Sequence, residues 1–597
     1  MSTRTAGGQV VAALAGHGVD RVFGVAGESY LPVLDALYDT PGVDVVTCRH
    51  EGSAGFAALA DAKLTGRAGV CLVNRGPGAA NAAIAVHAAA GDAAPLVLLV
   101  GQSKLAELDG PAFQEIDAGA VFGGLAKGVW MLRSPERAGE LTARAIRVAE
   151  AGTPGPTVLA MPEDVLGRPV TGPAPTRFPV VGSAPTRLAG IGSAPARLAG
   201  AGSAPGLEAP GLEAPELGEV AALLAAARRP LLVAGSRVDT AAGRRLLPQV
   251  AARHALAVAG TAKRQDLYDN TDPHYAGHLH IATPAWQRSA FGEADLVIAL
   301  GTRLDSVSTR GYTVFAAPVP AQPLVHVYPD PAALGRVYQP AVGIAADPVA
   351  FLAALSTLEP PPPEVVAQRR RWVHDLHERE AAEAVWGGQA AGDGVVFGAV
   401  VAALDRLTGG AAVVAVDAGN FTSFVHRYYR VRGGGRLLGI APGSMGFGVP
   451  AGLAAALRRG SGSGDGSGGG SGDGSGGGVP DRPVVTVVGD GGALMTGAEL
   501  ATAVARRVRL CVVIADNGSY GTIRAHQERA YPGRVIATDL ANPDFAAWAT
   551  AHGALGLAVT SEAAVEPAIR RALDHDGPAV VAVRTSLTHI SAYGRIE

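Results

Sequence analysis

Asp490 and the pair Asp516-Asn517 carry the clearest chemistry in the chain. Asp490 stands in Gly489-Asp490-Gly491-Gly492, and Asp516-Asn517 follows Gly489-Asp490-Gly491 after 24 intervening residues, 492 to 515. A carboxylate and a carboxamide oxygen are hard donors suited to Mg²⁺, which keeps several waters and takes phosphate oxygens besides. Gly489, Gly491 and Gly492 form a turn without side chains, whose amides, backed by a helix N-terminus, can face an anion. Together these residues read as a clamp for a metal diphosphate. A bare GDG is ordinarily a turn, so the elements around it must decide.

Those elements agree with the chemistry. The apolar, β-branched runs VVTVV and LCVVIA flank a helix-compatible segment within Val484 to Arg524, which reads as strand, helix, strand. A right-handed crossover makes the two strands parallel, so Asp490 and Asp516-Asn517 emerge at one carboxyl edge, where open α/β sheets bind ligands.

GDG followed at this spacing by Asp-Asn resembles the signature of thiamine diphosphate enzymes, where the usual pair is Asn-Asn. The resemblance implies that Asp490, Asn517 and the backbone carbonyl of Ser519 hold Mg²⁺ against the diphosphate, with Tyr520 and Gly521 beside it. Further upstream, RHEGSAGFAALADAKLTG followed by GVCLVNRGPGAAN resembles the pyrimidine-binding domain of acetolactate synthase-like enzymes. Taken alone, Glu51 is a helix N-terminal carboxylate favoured by the dipole. In the family, the matching glutamate hydrogen-bonds a ring nitrogen of the cofactor's aminopyrimidine and drives the tautomer that activates the cofactor. Gly76, Pro77 and Asn81 are implied to line the same site.

The resemblance assigns further residues. Phe113, Gln114 and Lys127 match positions lining the active site. Glu28 stands where acetolactate synthases commonly carry glycine and pyruvate decarboxylases an aspartate, which makes it a second acid in the substrate space. Gly419, Asn420 and Phe421 fall near the diphosphate. The carbonyl of Gly443 is implied to accept from the cofactor's amino group, and Met445 to wedge between its two rings, holding it bent. His87, on an apolar helical stretch, reads as structural. His278 and His280 lack further zinc ligands in the sequence pattern.

Composition bounds the rest. At 597 residues, 48% hydrophobic and 17% charged, the chain is that of a globular protein with three or four domains. Its net charge of −3 gives no reason to expect a nucleic acid or an acidic membrane as partner, and favours small molecules. Cys48, Cys71 and Cys511 are scattered and read as core residues of a reduced protein. No signal-peptide block and no apolar run of roughly 18 residues is present, so a cytoplasmic protein is expected.

The expected fold is α/β, with three doubly wound parallel-sheet domains. A pyrimidine-binding domain covers 1–170, a low-complexity linker of GSAPxRLAG and GLEAP units 171–216, and a central domain 217–355. A connecting segment runs over 356–394, and a diphosphate-binding domain covers 395–597 with a Gly/Ser-rich insertion at 460–478. The central domain of acetolactate synthases binds FAD in a structural role. PLLVAGSRVD lacks the GxGxxG fingerprint, so FAD stays open here.

Two departures bear on the reaction. Ile523 stands where simple 2-oxoacid decarboxylases carry a glutamate that helps protonate the reacting carbon, and their tandem His-His is missing. His526 stands where acetolactate synthases commonly place a tryptophan. The resemblance thus implies decarboxylative carboligation of a 2-oxoacid, pyruvate to 2-acetolactate or a related acyloin. A non-oxidative decarboxylase or a carbon–carbon lyase is the alternative. It also implies a homodimer or homotetramer, with active sites shared between subunits.

Overall fold

The structure, a computed structural model, describes residues 3–173, 214–459 and 482–596. Most of the expected linker and all of the Gly/Ser tract at 460–478 lie outside the described residues. The described ends of the linker are ordered into elements: Thr171 closes the strand Pro169–Thr171, paired antiparallel with Thr3–Thr5, and the helix Ala214–Ala226 begins at Ala214.

Three six-stranded parallel sheets follow one another along the chain. In the N-terminal sheet the spatial order is Asp44–Thr47, Arg21–Gly24, Gly69–Asn74, Leu96–Gln102, Pro156–Pro162, Gly128–Met131. The C-terminal sheet repeats this order with Arg436–Leu438, Val413–Val416, Val484–Gly489, Leu510–Asp516, Pro578–Arg584 and Leu555–Val559. In both, the winding reverses between the first and third strands of the chain. Open α/β sheets bind ligands at such a reversal, outside the strands' carboxyl ends. The central sheet differs. It winds outward in both directions from Pro230–Ala234, with Leu296–Leu300 as the neighbour across the reversal.

Strands that are apolar nearly throughout, such as Leu96–Gln102, are buried at every position, as a parallel sheet covered on both faces requires. One hydrophobic core runs through the N- and C-terminal sheets together. At its centre the helix Glu51–Thr65 packs on Gly448–Arg458, and Phe56 meets Phe447 edge-on at 5.8 Å. Arg458 crosses the same interface to Asp61 at 2.7 Å and Asp20 at 2.6 Å.

The central domain is tied in by charge. Asp239 pairs with Arg244 at 2.8 Å and Arg436 at 2.9 Å, and Asp266 with the same two arginines at 2.7 and 3.1 Å. Arg264 reaches Asp92 of the N-terminal domain at 3.4 Å. The connecting helix Pro363–Glu383 anchors itself through buried Arg369, which donates to the carbonyls of Leu224, Ala227 and His254. Those carbonyls lie at the ends of two helices, where acceptors have no intrahelical partner. Among the described residues no helix is long and apolar enough to cross a membrane.

Candidate active site

At the reversal of the C-terminal sheet, Val484–Gly489 delivers Asp490 to the first turn of the helix Asp490–Thr496. Asp490 Oδ1 accepts from the Gly491 amide at 2.9 Å and Oδ2 from the Gly518 amide at 2.9 Å. Asn542 Nδ2 donates to Asp490 Oδ2 and to Asp516 Oδ1, both at 2.8 Å. Burial, joined by the Asp516 charge, holds the Asp490 carboxyl above its usual value. Two carboxylates thus converge on one neutral donor, a setting that a divalent cation relieves. Asn517 Oδ1 accepts from the Ser519 amide at 3.0 Å, and the Ser519 carbonyl takes the Gly521 amide at 2.7 Å. Asn542 had no motif to announce it in the sequence.

The glycines are spaces that other groups need. A Cβ on Gly491 would come 2.6 Å from the Tyr520 ring and 3.2 Å from the Met445 terminal methyl carbon, so the GDG turn, Tyr520 and Met445 share one crevice. On Gly489 it would come 3.0 Å from the Phe421 ring, and on Gly419, at φ 149°, 2.5 Å from it. The Asn420 amide donates to Thr522 Oγ1 at 3.0 Å, fastening this loop to the helix Gly521–Ala530.

Gly443 has a φ of 68°, in the left-handed region that favours glycine, and faces open space. The segment after it is held by Asp417, which accepts from the amides of Ala418 at 2.6 Å, Gly446 at 2.9 Å and Gly448 at 3.0 Å. Burial pushes the Asp417 carboxyl up to about 6, against the pull of these amides and of Lys263. Asp417 was legible only as a strand end, and its role as the post for Gly443–Met445 comes from the structure.

In the N-terminal domain Glu51 opens the helix Glu51–Thr65, capped by His50, whose Nδ1 accepts from the Gly52 amide at 3.0 Å. Asn81 Nδ2 donates to Glu51 Oε2 at 2.9 Å, so two residues named from separate motifs meet. The Gly76 amide donates to the Gln114 carbonyl at 2.8 Å, with Pro77 and Gly78 following in the helix Arg75–Asp92. Gln114 sits at φ 58°, and its Oε1 is enclosed without a partner. Glu28 lies across the sheet reversal beside Asn74, at 3.3 Å, and Arg75, at 3.5 Å. Lys127 is set apart from this group: it donates to the Ala151 carbonyl at 2.5 Å and lines a cavity of about 310 Å³ with Thr153 and Asp330.

One helix measures the distance between the two half-sites. A Cβ on Gly78, near the start of Arg75–Asp92, would lie 3.4 Å from Glu51 Oε1. At the other end Gly91 abuts Pro442, and Asp92 Oδ1 accepts from the Ala441 amide at 2.9 Å. Thirteen residues at 1.5 Å each separate Gly78 from Gly91, so the end of this helix against Glu51 and the end against Pro442 are roughly 20 Å apart. Glu499 bridges the domains from the other side, its Oε1 taking the amides of Arg49 at 2.8 Å and His50 at 3.3 Å.

Elsewhere, His278 and His280 stack at 4.6 Å between ring centres, and His426 lies against them at 5.2 and 5.6 Å. Burial holds all three below the usual histidine value, His278 at about 3. His87 is exposed, as are Ile523 and His526 on the helix Gly521–Ala530. The three cysteines are buried and unbridged.

Comparison with known proteins finds one family along the chain. Family models for the N-terminal TPP binding domain, the central domain and the C-terminal TPP binding domain of thiamine pyrophosphate enzymes match residues 4–121, 217–355 and 417–583. The chain is 29% identical over 579 residues to the acetolactate synthase large subunit of Parasynechococcus marenigrum, covering 96% of this chain and 86% of that one. It is 29% identical over 571 residues to the acetolactate synthase isozyme 2 large subunit of Escherichia coli, covering 95% and 93%. To the catabolic acetolactate synthase of Raoultella terrigena it is 28% identical over 587 residues, covering 96% and 94%. With three domain models of one family matched in order along it, and acetolactate synthases similar over nearly its whole length, the chain belongs to the thiamine diphosphate-dependent enzymes, on the acetolactate synthase-like side of that family.

Proposed function

We propose that the protein joins the acyl part of a 2-oxoacid, after loss of CO₂, to a second carbonyl compound, giving 2-acetolactate from pyruvate or a related acyloin. The observation that carries this reading is the convergence of Asp490, Asp516 and Asn542 beside Asn517 and Ser519, a donor set that fits Mg²⁺ with a diphosphate. Thiamine diphosphate, when bound, supplies the nucleophilic carbon and the electron sink for decarboxylation.

The chain's own residues do the rest. Asp490, Asn517 and the Ser519 carbonyl would hold the metal, and Gly489, Gly491, Gly492, Gly419, Asn420, Phe421, Tyr520 and Gly521 would close around the diphosphate. Glu51, oriented by Asn81, moves a proton at a ring nitrogen of the cofactor. Met445, posted by Asp417 through Gly446 and Gly448, would stand against the cofactor's rings and orient them. Ile523 leaves that one position of the helix Gly521–Ala530 without an acid, which supports ligation over simple protonation.

The active site is shared between two copies. Glu51 and the Gly443 carbonyl are both assigned to the pyrimidine ring, while the helix Arg75–Asp92 sets the residues against Glu51 and those against Pro442 at ends roughly 20 Å apart, which supports a ring held between two chains. A homodimer, or a tetramer built from it, supplies Glu51 from one chain and Gly443 from the other. Buried, unbridged Cys48, Cys71 and Cys511 support a reducing, cytoplasmic setting.

The test is CO₂ release and product identification from a panel of 2-oxoacids with thiamine diphosphate and Mg²⁺ added. Glu51→Gln is expected to lose turnover while still binding the cofactor. Full activity in that variant would overturn the mechanism.

A further inference from the structure

Glu28 and Arg75 leave neighbouring parallel strands, Arg21–Gly24 and Gly69–Asn74, at the reversal point of the N-terminal sheet. Their side chains are presented very differently. The Arg75 guanidinium is only 9% exposed. Its Nη2 donates to Glu163 Oε2 at 2.8 Å, its Nη1 stands 3.5 Å from Glu28 Oε1, and its Cζ lies 5.6 Å from the centre of the Phe113 ring. Glu28 is 56% exposed. The cation is therefore committed to the protein, and the anion is what the crevice offers.

Asn74 fixes the arrangement. Its Oδ1 accepts from the Ser29 amide at 3.2 Å and from the Ser29 hydroxyl, so its Nδ2 faces Glu28 Oε2 at 3.3 Å. Each oxygen of Glu28 thus has a donor or a cation behind it, and its remaining lone pairs point away from them. The other titratable groups nearby are Glu163, Lys104 at 3.8 Å from Glu163, and Tyr30, Glu51 and Cys71. None of them turns a free cation toward Glu28.

We propose that Arg75 is a positioning residue that holds Glu28 as a fixed anion beside the acceptor. That anion would make the preferred acceptor an uncharged aldehyde rather than a second 2-oxoacid. This rests on the carboligation reading above. Beside a carboxylate as open to water as Glu28, a like charge about 4 Å away is disfavoured by roughly fivefold. The donor loses its carboxylate as CO₂ before the acceptor enters, so repulsion there favours the step. An acceptor 2-oxoacid keeps its charge throughout. With propanal the balance is one pyruvate, one aldehyde and one proton giving one hydroxyketone and one CO₂. The new bond joins the former C2 of pyruvate to the aldehyde carbon, whose oxygen ends as the hydroxyl.

The test uses the full-length protein saturated with thiamine diphosphate and Mg²⁺, with pyruvate and propanal at equal concentrations, measuring CO₂ and both products. The hydroxyketone is expected to exceed acetolactate about fivefold, and Glu28→Gln to move the ratio about fivefold toward acetolactate. Arg75→Gln is expected to shift the pH dependence of the ratio upward, because Glu28 then takes a proton more readily, and Arg75→Lys to return it toward the original profile. CO₂ release with acetolactate dominant, or with a ratio unmoved by Glu28→Gln, would overturn the proposal and leave the carboligase reading standing. If no 2-oxoacid releases CO₂ while the cofactor is bound, both readings fall.

Discussion

Asn542 Nδ2 lies 2.8 Å from Asp490 Oδ2, and it reaches Asp516 Oδ1 at the same distance. A neutral amide thus holds together two carboxylates that a cation would bind more strongly. Asp490→Asn removes the like-charge cost but turns its NH2 toward one of the donors now facing Asp490, so the cofactor-free variant is expected to fold and to melt somewhat below the parent. The rise in melting temperature on adding Mg²⁺ with thiamine diphosphate should vanish. Thermal melting with and without both additions checks this, and a retained shift would move the metal elsewhere.

Asp417 anchors three amides without touching the diphosphate loop's own donors. Asp417→Ala leaves the Ala418, Gly446 and Gly448 amides without that acceptor, at about 1–3 kcal/mol for each group left unsatisfied. Urea unfolding should show a loss of about 3 kcal/mol or more. A smaller loss would mean that the segment carrying Gly443 and Met445 has other supports.

The same residue sets a pH dependence. Its folded value of about 6 lies above the ordinary 3.8, so its contribution is full at low pH and is lost as pH rises through 6. The amount is about 3 kcal/mol, from two pKa units at 1.36 kcal/mol each. Asp417→Asn should flatten the stability profile between pH 4 and pH 6, as read by urea midpoints.

His278, His280 and His426 work in the opposite sense. Their folded values lie below the ordinary 6.5, so both states are neutral above that pH and only the unfolded chain gains protons below it. Stability should fall by up to about 1.4 kcal/mol per pH unit for each histidine as pH drops below 6.5. Because the three rings stack between the central domain and the helix Thr422–Tyr428, melting below pH 6 should begin at that junction. His280→Asn should lessen the slope by up to about 1.4 kcal/mol per pH unit. An unchanged slope would show that these rings become protonated in the folded protein.

Sharing of the active site predicts recovery by mixing. Glu51→Gln and Asp490→Ala chains, each inactive alone, should regain roughly a quarter of parental activity when co-expressed, because half of random dimers then carry one intact site. No recovery would place Glu51 and Asp490 of one chain in the same site.

What was legible in the sequence was local. β-branched runs ending in Gly489, Asp516 and Asn74 announced strands, and glycines at 419, 443 and 491 announced turns, because both signals lie within a few residues. Glu51 and Asn81, named from different motifs, do meet. Contacts between distant segments were not legible. Asn542 has no flanking pattern, Arg436 gives no sign that Asp239 and Asp266 await it in another domain, and His278 and His280 gave no hint of His426. Lys127 shows the same gap, since its family position did not foretell its pairing with the Ala151 carbonyl.

The helix Arg75–Asp92 touches Glu51 at one end and the Gly443 segment at the other. In the shared-site dimer proposed above, those ends would belong to two different catalytic centres. Inserting or deleting one residue would turn one end by about 100° and move it 1.5 Å relative to the other. Such a change could not be confined to one centre, so the length of this helix is a gauge that both sites share.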